Sequence, residues 1–149
     1  MSYDMNRLRW VLTRRYYNLL QRLDSRRLGA TAPAKDIIDA LLSKVFAEGL
    51  VCHYCGIPLN LYAHAYDFKT ALSLDHKVPL SVRPDNSTAN LIICCVRCNF
   101  AKATTSYEKF KTTIQRMRAE DRAKMNRYLD SLYEQRQPKA KLSAAQCLG

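Results

Sequence analysis

The chain has 149 residues, of which 48% are hydrophobic and 25% charged, and its 24 lysines and arginines outnumber 13 acidic residues, giving a net charge of +11. This length corresponds to one domain, or to one small core with added helices. The composition excludes collagen-like and intrinsically disordered chains, and no apolar run reaches the roughly 18 residues that cross a bilayer. Because the chain also starts without an apolar signal-like segment, we expect a cytoplasmic protein with no membrane partner.

The positive charge is unevenly distributed along the chain. Residues 1–36 carry a net charge of +5 and residues 100–149 a net charge of +6, whereas residues 37–99 are neutral. A basic protein of this kind is typical of one with a polyanionic partner. The sequence therefore predicts that the two flanks bind the polyanion.

The first 49 residues are predicted to form a basic helical region. Between residues 4 and 28 the apolar side chains recur at three- and four-residue steps, which indicates an amphipathic helix ending at Gly29. Its arginines fall mostly off the apolar stripe. They have two interpretations, an ordinary solvated helix face or a phosphate-contacting face, and Arg14 and Arg15 are the candidate contacts.

A second helix of low charge is predicted from Pro33, with Thr31 as its cap, to Gly49. Beyond it the apolar runs become short and are broken by glycine, proline and asparagine, which indicates strands and turns. The clearest strand candidates are residues 71–75 and 90–94.

Helical spacing returns after Cys98. Thr105 and Glu108 have the spacing of a capping box, so residues 105–136 are predicted to form C-terminal helices. No apolar period survives in residues 137–149, which we expect to be a flexible tail.

Four of the six cysteines form two C-x-x-C pairs, Cys52 with Cys55 and Cys95 with Cys98. In a reducing compartment such pairs are metal ligands more often than disulfides. Two such turns supply the tetrahedral four-thiolate shell of a closed structural zinc site. Cys94 adjoins the second pair and is a competing ligand, although only Cys95 completes the C-x-x-C spacing.

A polar group of residues lies between and just beyond the cysteine pairs: Asp75, His76, Asn99 and Lys102. Phosphodiester hydrolysis needs a base for the attacking water and a cation for the charge on phosphate. Histidine titrates near neutrality, and carboxylate and amide oxygens are ligands that magnesium accepts. An adjacent Asp-His pair is also compatible with a purely structural role. On a strand the two side chains point to opposite faces, so we expect a bend there if both serve one site.

Taken together, these residues resemble the HNH endonuclease motif of the ββα-metal superfamily, over about residues 51–103. The matching positions are Cys52-x-x-Cys55, Asp75-His76-x-x-Pro79-Leu80-Ser81, Asn90-Leu91 and Cys95-x-x-Cys98-Asn99-x-x-Lys102. The last motif position is an asparagine, which makes this an HNN variant and favours magnesium or manganese over a softer catalytic metal. A second departure is the segment from Val82 to Asn86, where many relatives have a pair of glycines.

The resemblance implies an α+β fold in which a small zinc-bound ββα-metal nuclease core, residues 50–104, is flanked by N-terminal and C-terminal helices. It implies that His76 is the general base, that Asp75 and Asn99 hold one divalent metal ion, and that Asn90 is a support residue. The four cysteines of the two pairs would bind the structural zinc.

The function that follows is a metal-dependent DNA endonuclease that leaves 5′-phosphate and 3′-hydroxyl ends. Its partner would be double-stranded DNA, with Arg97 and Lys102 as candidate phosphate contacts beside Arg14 and Arg15. The alternative is a non-catalytic zinc-ribbon protein that binds DNA or serves assembly. The sequence leaves both a monomer and a homodimer open.

Overall fold

The computed structural model describes residues 2–21, 32–63, 67–83 and 85–136. Within them, five α-helices surround a two-stranded antiparallel sheet, which confirms the predicted α+β class with a ββα unit between flanking helices. In these residues no helix is both long and apolar enough to span a membrane. The elements are α1 (Met5–Gln21), α2 (Ala34–Glu48), β1 (Leu72–His76), a 3₁₀ turn (Thr88–Asn90), β2 (Leu91–Cys95), α3 (Val96–Lys102), α4 (Tyr107–Glu120) and α5 (Arg122–Arg136).

The two N-terminal helices pack together and against the sheet. α1 buries Leu8, Leu12 and Tyr16, which lie on one face because they are four residues apart. α1 contacts both α2 and β1, so the N-terminal region shares one apolar core with the centre of the chain. The predicted helix end at Gly29 and the predicted cap Thr31 lie outside the described residues.

The sheet is a regular hairpin. Its register runs from Leu72 opposite Cys95 to His76 opposite Leu91. Each strand therefore lies one residue later than predicted. Asn90 is excluded from β2 because its N–H donates to the carbonyl of Ser87 and closes the 3₁₀ turn.

The C-terminal helices follow the hairpin directly. α3 begins at Val96, as predicted, and the tail predicted for residues 137–149 lies outside the described residues. The cap of α4 is Ser106 and not Thr105, so that prediction was wrong by one position. The Ser106 hydroxyl accepts from the N–H of Lys109 at 3.3 Å, whereas the N–H of Thr105 closes the turn after α3 by donating to Lys102.

A buried arginine joins α3 to α5. The side chain of Arg97 is 0% exposed, and its Nη1 lies 3.0 Å from Asp130 Oδ1 while Nη2 donates to Asn126 Oδ1 at 2.9 Å. The other oxygen of Asp130 pairs with Lys69. A phosphate contact requires an exposed guanidinium, so the buried position of Arg97 argues against the predicted contact and for a structural role.

Replacing Asp130 with asparagine should destabilise the protein, because it leaves the buried Arg97 without its counter-charge. We expect a loss of about 2 kcal/mol and a melting temperature lower by about 6 °C, measured by thermal unfolding. Asp39→Asn is the matched control, since Asp39 also joins two cations, Arg9 and Lys35, but both are exposed. The control should cost less than about 1 kcal/mol. Equal losses in the two variants would contradict this role for Arg97.

Candidate functional site

The first cysteine pair sits on a tight loop before the sheet. The N–H of Gly56 donates to the carbonyl of Cys52, and the N–H of Cys52 donates to the carbonyl of Ile57. Gly56 has a φ of +75°, a backbone conformation that favours glycine, and a side chain there would require the Arg118 guanidinium to move. This loop turns the side chains of Cys52 and Cys55 inward.

The second cysteine pair lies where β2 passes into α3. The Sγ of Cys95 accepts from the N–H of Cys98 at 3.3 Å, so the first turn of α3 brings the two sulfurs together. All four sulfurs of Cys52, Cys55, Cys95 and Cys98 are buried and lie within 4.8 Å of one another. The cluster fits a tetrahedral zinc site of the closed structural type.

Cys94 lies beside this cluster in the sequence but outside it in space. Within the cluster, hydrogen bonds among the thiols hold the pKa of Cys55 below the ordinary value and raise the pKa of Cys95 and Cys98 above it. Burial raises the pKa of the neighbouring Cys94 well above its ordinary value. Cys94 is not part of the cluster and is a buried apolar side chain of β2.

Asp75 is held on the α3 side of the sheet. Its Oδ2 accepts from the hydroxyl of Tyr54 at 3.0 Å and lies 3.2 Å from the Nζ of Lys102. Burial, followed by the charge of Asp75, raises the pKa of Tyr54 well above its usual range, so Tyr54 remains a donor. The predicted phosphate contact Lys102 is therefore a buried ion-pair partner of Asp75 in this structure.

Asn99 lies on the same side, facing β1 from α3. Its Nδ2 donates to Ser73 Oγ at 2.8 Å and to the carbonyl of Leu74 at 3.2 Å. Both bonds orient the amide nitrogen toward the strand, so Oδ1 is the atom of this side chain that can face a cation. Asn99 and Lys102 are three residues apart on one helix, so their side chains contact neighbouring positions of β1.

His76 is the last residue of β1, and its side chain leaves the opposite face from that of Asp75. Its Nε2 lies 2.9 Å from Asn86 Oδ1, and Asn86 Nδ2 in turn donates to the hydroxyl of Tyr16 at 3.2 Å. The bend expected between Asp75 and His76 is absent, because the antiparallel pairing is regular through His76. Because the side chains of Asp75 and His76 lie on opposite faces of β1, a ligand that contacts both must lie at the end of the strand.

Asn90 closes the loop that follows His76. Its Nδ2 donates to the carbonyls of Val78 and Asp85, and its Oδ1 accepts from the N–H of Val78. In addition, its carbonyl accepts from the N–H of Lys77. These four bonds tie both ends of the loop to one side chain and its backbone, which is the geometry that a support residue requires.

Of the two predicted α1 contacts, Arg14 lies opposite the buried face of that helix and Arg15 lies beside it. Arg14 is exposed, and its guanidinium lies 5.2 Å from the ring centre of Trp10, which is itself 48% exposed. Arg15 is half-buried. Arg14 is therefore the better placed of the two for a contact with a ligand in solvent.

Residues 52–105 match the model of the HNH endonuclease family. This part of the chain is an HNH domain. Among curated proteins and solved structures, none matches the chain significantly. HNH nucleases act on DNA, so the domain indicates a nuclease, and the four-cysteine cluster lies within the matched residues.

Three residues around the HNH motif were missed by the sequence analysis: Tyr54, Asn86 and Tyr16. Tyr54 lies between the two cysteines of the first C-x-x-C pair, and only those cysteines were predicted to have a role. Asn86 lies in the loop that departs from the glycine pair, and Tyr16 is an apolar-stripe position of α1. No spacing rule links them to Asp75 or His76, because their contacts span 10 to 70 residues of sequence.

Proposed function

We propose that the HNH domain is a metal-dependent endonuclease that hydrolyses double-stranded DNA to 5′-phosphate and 3′-hydroxyl ends. The observation that supports it is the placement of Asp75 and Asn99 together on the α3 side of β1, with His76 at the end of the same strand. The match to the HNH family supports the same conclusion.

Asp75 and Asn99 would hold magnesium or manganese. One carboxylate and one amide oxygen are hard donors, and magnesium is commonly bound by few protein ligands with water in its other positions. Such an ion, when bound, supplies positive charge for the phosphate and for the leaving oxygen. The buried four-cysteine cluster would hold zinc and stabilise the fold.

His76 would accept the proton of the attacking water. Its neutral imidazole has one nitrogen engaged by Asn86, which leaves the other nitrogen as the base. Asn90 would keep the loop after His76 in place, so that the imidazole holds its orientation through the reaction. The protein would thus act by positioning water and phosphate, which a small domain can do.

The test is the relaxation or linearisation of supercoiled plasmid by the wild-type chain in magnesium or manganese. We expect cleavage that EDTA abolishes, and nicks that DNA ligase reseals without prior kinase treatment, since 5′-phosphate and 3′-hydroxyl ends are its substrates. DNA binding without cleavage in any divalent metal would reject the proposal.

That outcome would favour the second candidate, a non-catalytic zinc-ribbon protein that binds DNA or serves assembly. One observation supports it. Lys102 and Tyr54 already satisfy Asp75 Oδ2, so the motif can stand as a closed structural network. The two functions differ in cleavage, not in zinc content or in DNA affinity.

The DNA affinity of α1 provides a separate prediction. Reversing both charges, Arg14→Glu with Arg15→Glu, should lower affinity at least tenfold and reduce the slope of log Kd against log salt by about two. The measurement is fluorescence anisotropy with a labelled duplex at several salt concentrations. Lys35→Glu with Lys124→Glu changes the net charge equally at exposed positions of α2 and α5. Equal losses in both double variants would assign the effect to net charge and leave α1 as a solvated face.

A further inference from the structure

We propose that Asn86 and Tyr16 are positioning residues for His76, which hold its imidazole with the proton on Nε2 and leave Nδ1 as the accepting atom. The proposal rests on the proposed function, in which His76 is the base. It assigns part of the site to α1, outside the residues that match the HNH family.

The three side chains form one continuous chain of hydrogen bonds. His76 Nε2 lies 2.9 Å from Asn86 Oδ1, and Asn86 Nδ2 lies 3.2 Å from the hydroxyl oxygen of Tyr16. An amide oxygen can only accept and an amide nitrogen can only donate. In the observed orientation Asn86 Oδ1 faces His76 and Nδ2 faces Tyr16, so Nε2 is the donor to that oxygen.

Burial favours this one arrangement of hydrogen bonds over others. Tyr16 is 1% exposed, Asn86 4% and His76 8%, so water does not readily replace a missing partner. A buried polar group that loses its partner is costly, which holds both ends of the Asn86 amide in one orientation. Burial also raises the pKa of Tyr16, so its hydroxyl stays neutral. Asn86 thus selects the tautomer of His76, and Tyr16, 60 positions before His76 in the chain, helps to hold Asn86 in place.

The packing of α1 gives the chain of hydrogen bonds a rigid base. Tyr16 shares its helix face with Leu8 and Leu12, which are both fully buried in the common core. The hydroxyl of Tyr16 consequently enters the site from an element whose position is fixed by apolar contacts. Such support from rigid elements is what a base needs in order to keep one orientation.

The experiment uses the full chain with His76 observed by two-bond ¹H–¹⁵N correlation NMR in alkaline buffer, where the imidazole is neutral. We expect the Nε2-H tautomer in the wild type and a mixture of tautomers in Asn86→Leu. Tyr16→Phe should shift the population in the same direction but less. Asn86→Asp retains an acceptor for Nε2 and should restore the wild-type tautomer.

Cleavage kinetics supply the second readout. In Asn86→Leu we expect kcat to fall at least tenfold with KM unchanged, because the residue acts on the base and not on DNA. Tyr17→Phe is the matched control on the exposed side of α1 and should resemble the wild type. Zinc content and melting temperature identify any variant that fails to fold. If Asn86→Leu fails to fold, Asn86→Asp is compared with the wild type instead.

The outcomes separate this inference from the proposed function. An Nδ1-H tautomer in the wild type, or an unchanged tautomer and unchanged kcat in Asn86→Leu, would overturn the positioning role. If the wild type shows the Nε2-H tautomer, and Asn86→Leu loses it, the hydrogen-bond chain is supported even when no DNA is cut. In that case the proposed function alone is rejected.

Discussion

Replacing Cys95 with serine should release the bound metal and unfold the centre of the chain. The hairpin has only two strands, and the loop of Cys52 and Cys55 is joined to it through the buried sulfur cluster. A structural zinc ion contributes on the order of 10 kcal/mol to folding, which is comparable to the whole stability of a typical domain. The measurement is metal per chain by elemental analysis, together with a circular-dichroism melt.

Cys94→Ala is the matched control for this experiment. Cys94 is the sequence neighbour of Cys95 and is equally buried, but it is not in the cluster. It should keep one zinc ion per chain and lose only about 1 kcal/mol of stability, the cost of a small cavity. Retained metal in Cys95→Ser together with lost metal in Cys94→Ala would reassign the fourth ligand to Cys94.

The second large effect is expected at His76. His76→Ala should reduce DNA cleavage by about 10²- to 10⁴-fold, the usual contribution of a general base. Because His76 would act on the attacking water and not on the phosphates that bind the protein, the DNA dissociation constant should stay within about twofold of the wild-type value. Single-turnover cleavage of supercoiled plasmid measures the first quantity, and fluorescence anisotropy measures the second.

His53→Gln is the histidine control. His53 is stacked on Tyr107 and its Nε2 lies 2.8 Å from the Tyr107 hydroxyl, away from the contacts of His76. Burial, followed by the charge of Lys111, lowers the pKa of His53, so it is a neutral packing residue near pH 7. This variant should cleave DNA as the wild type does. His76→Gln tests the same role with a side chain of closer volume, and full activity in both His76 variants would eliminate the general base from the mechanism.

The placement of the motif was predictable from local pattern because each part of it is short in sequence. A C-x-x-C turn and an alternating strand are determined within a few residues, so the cysteine cluster and the ββα unit follow from spacing. The errors were equally local. Ser106 caps α4 because the N–H of Thr105 closes the turn after α3, and β2 begins after Asn90 because the N–H of Asn90 closes a 3₁₀ turn.

The sequence by itself determined the class of fold, the four clustered cysteines and the positions of the HNH motif. Only the tertiary structure decided what surrounds each of them. It paired Asp75 with Lys102, buried Arg97 against Asp130 and brought Tyr16 of α1 within one side chain of His76. The physical reason is that each of these contacts joins elements that are far apart in the chain. Which elements meet depends on how their apolar faces pack, and the spacing of residues within one element does not predict it.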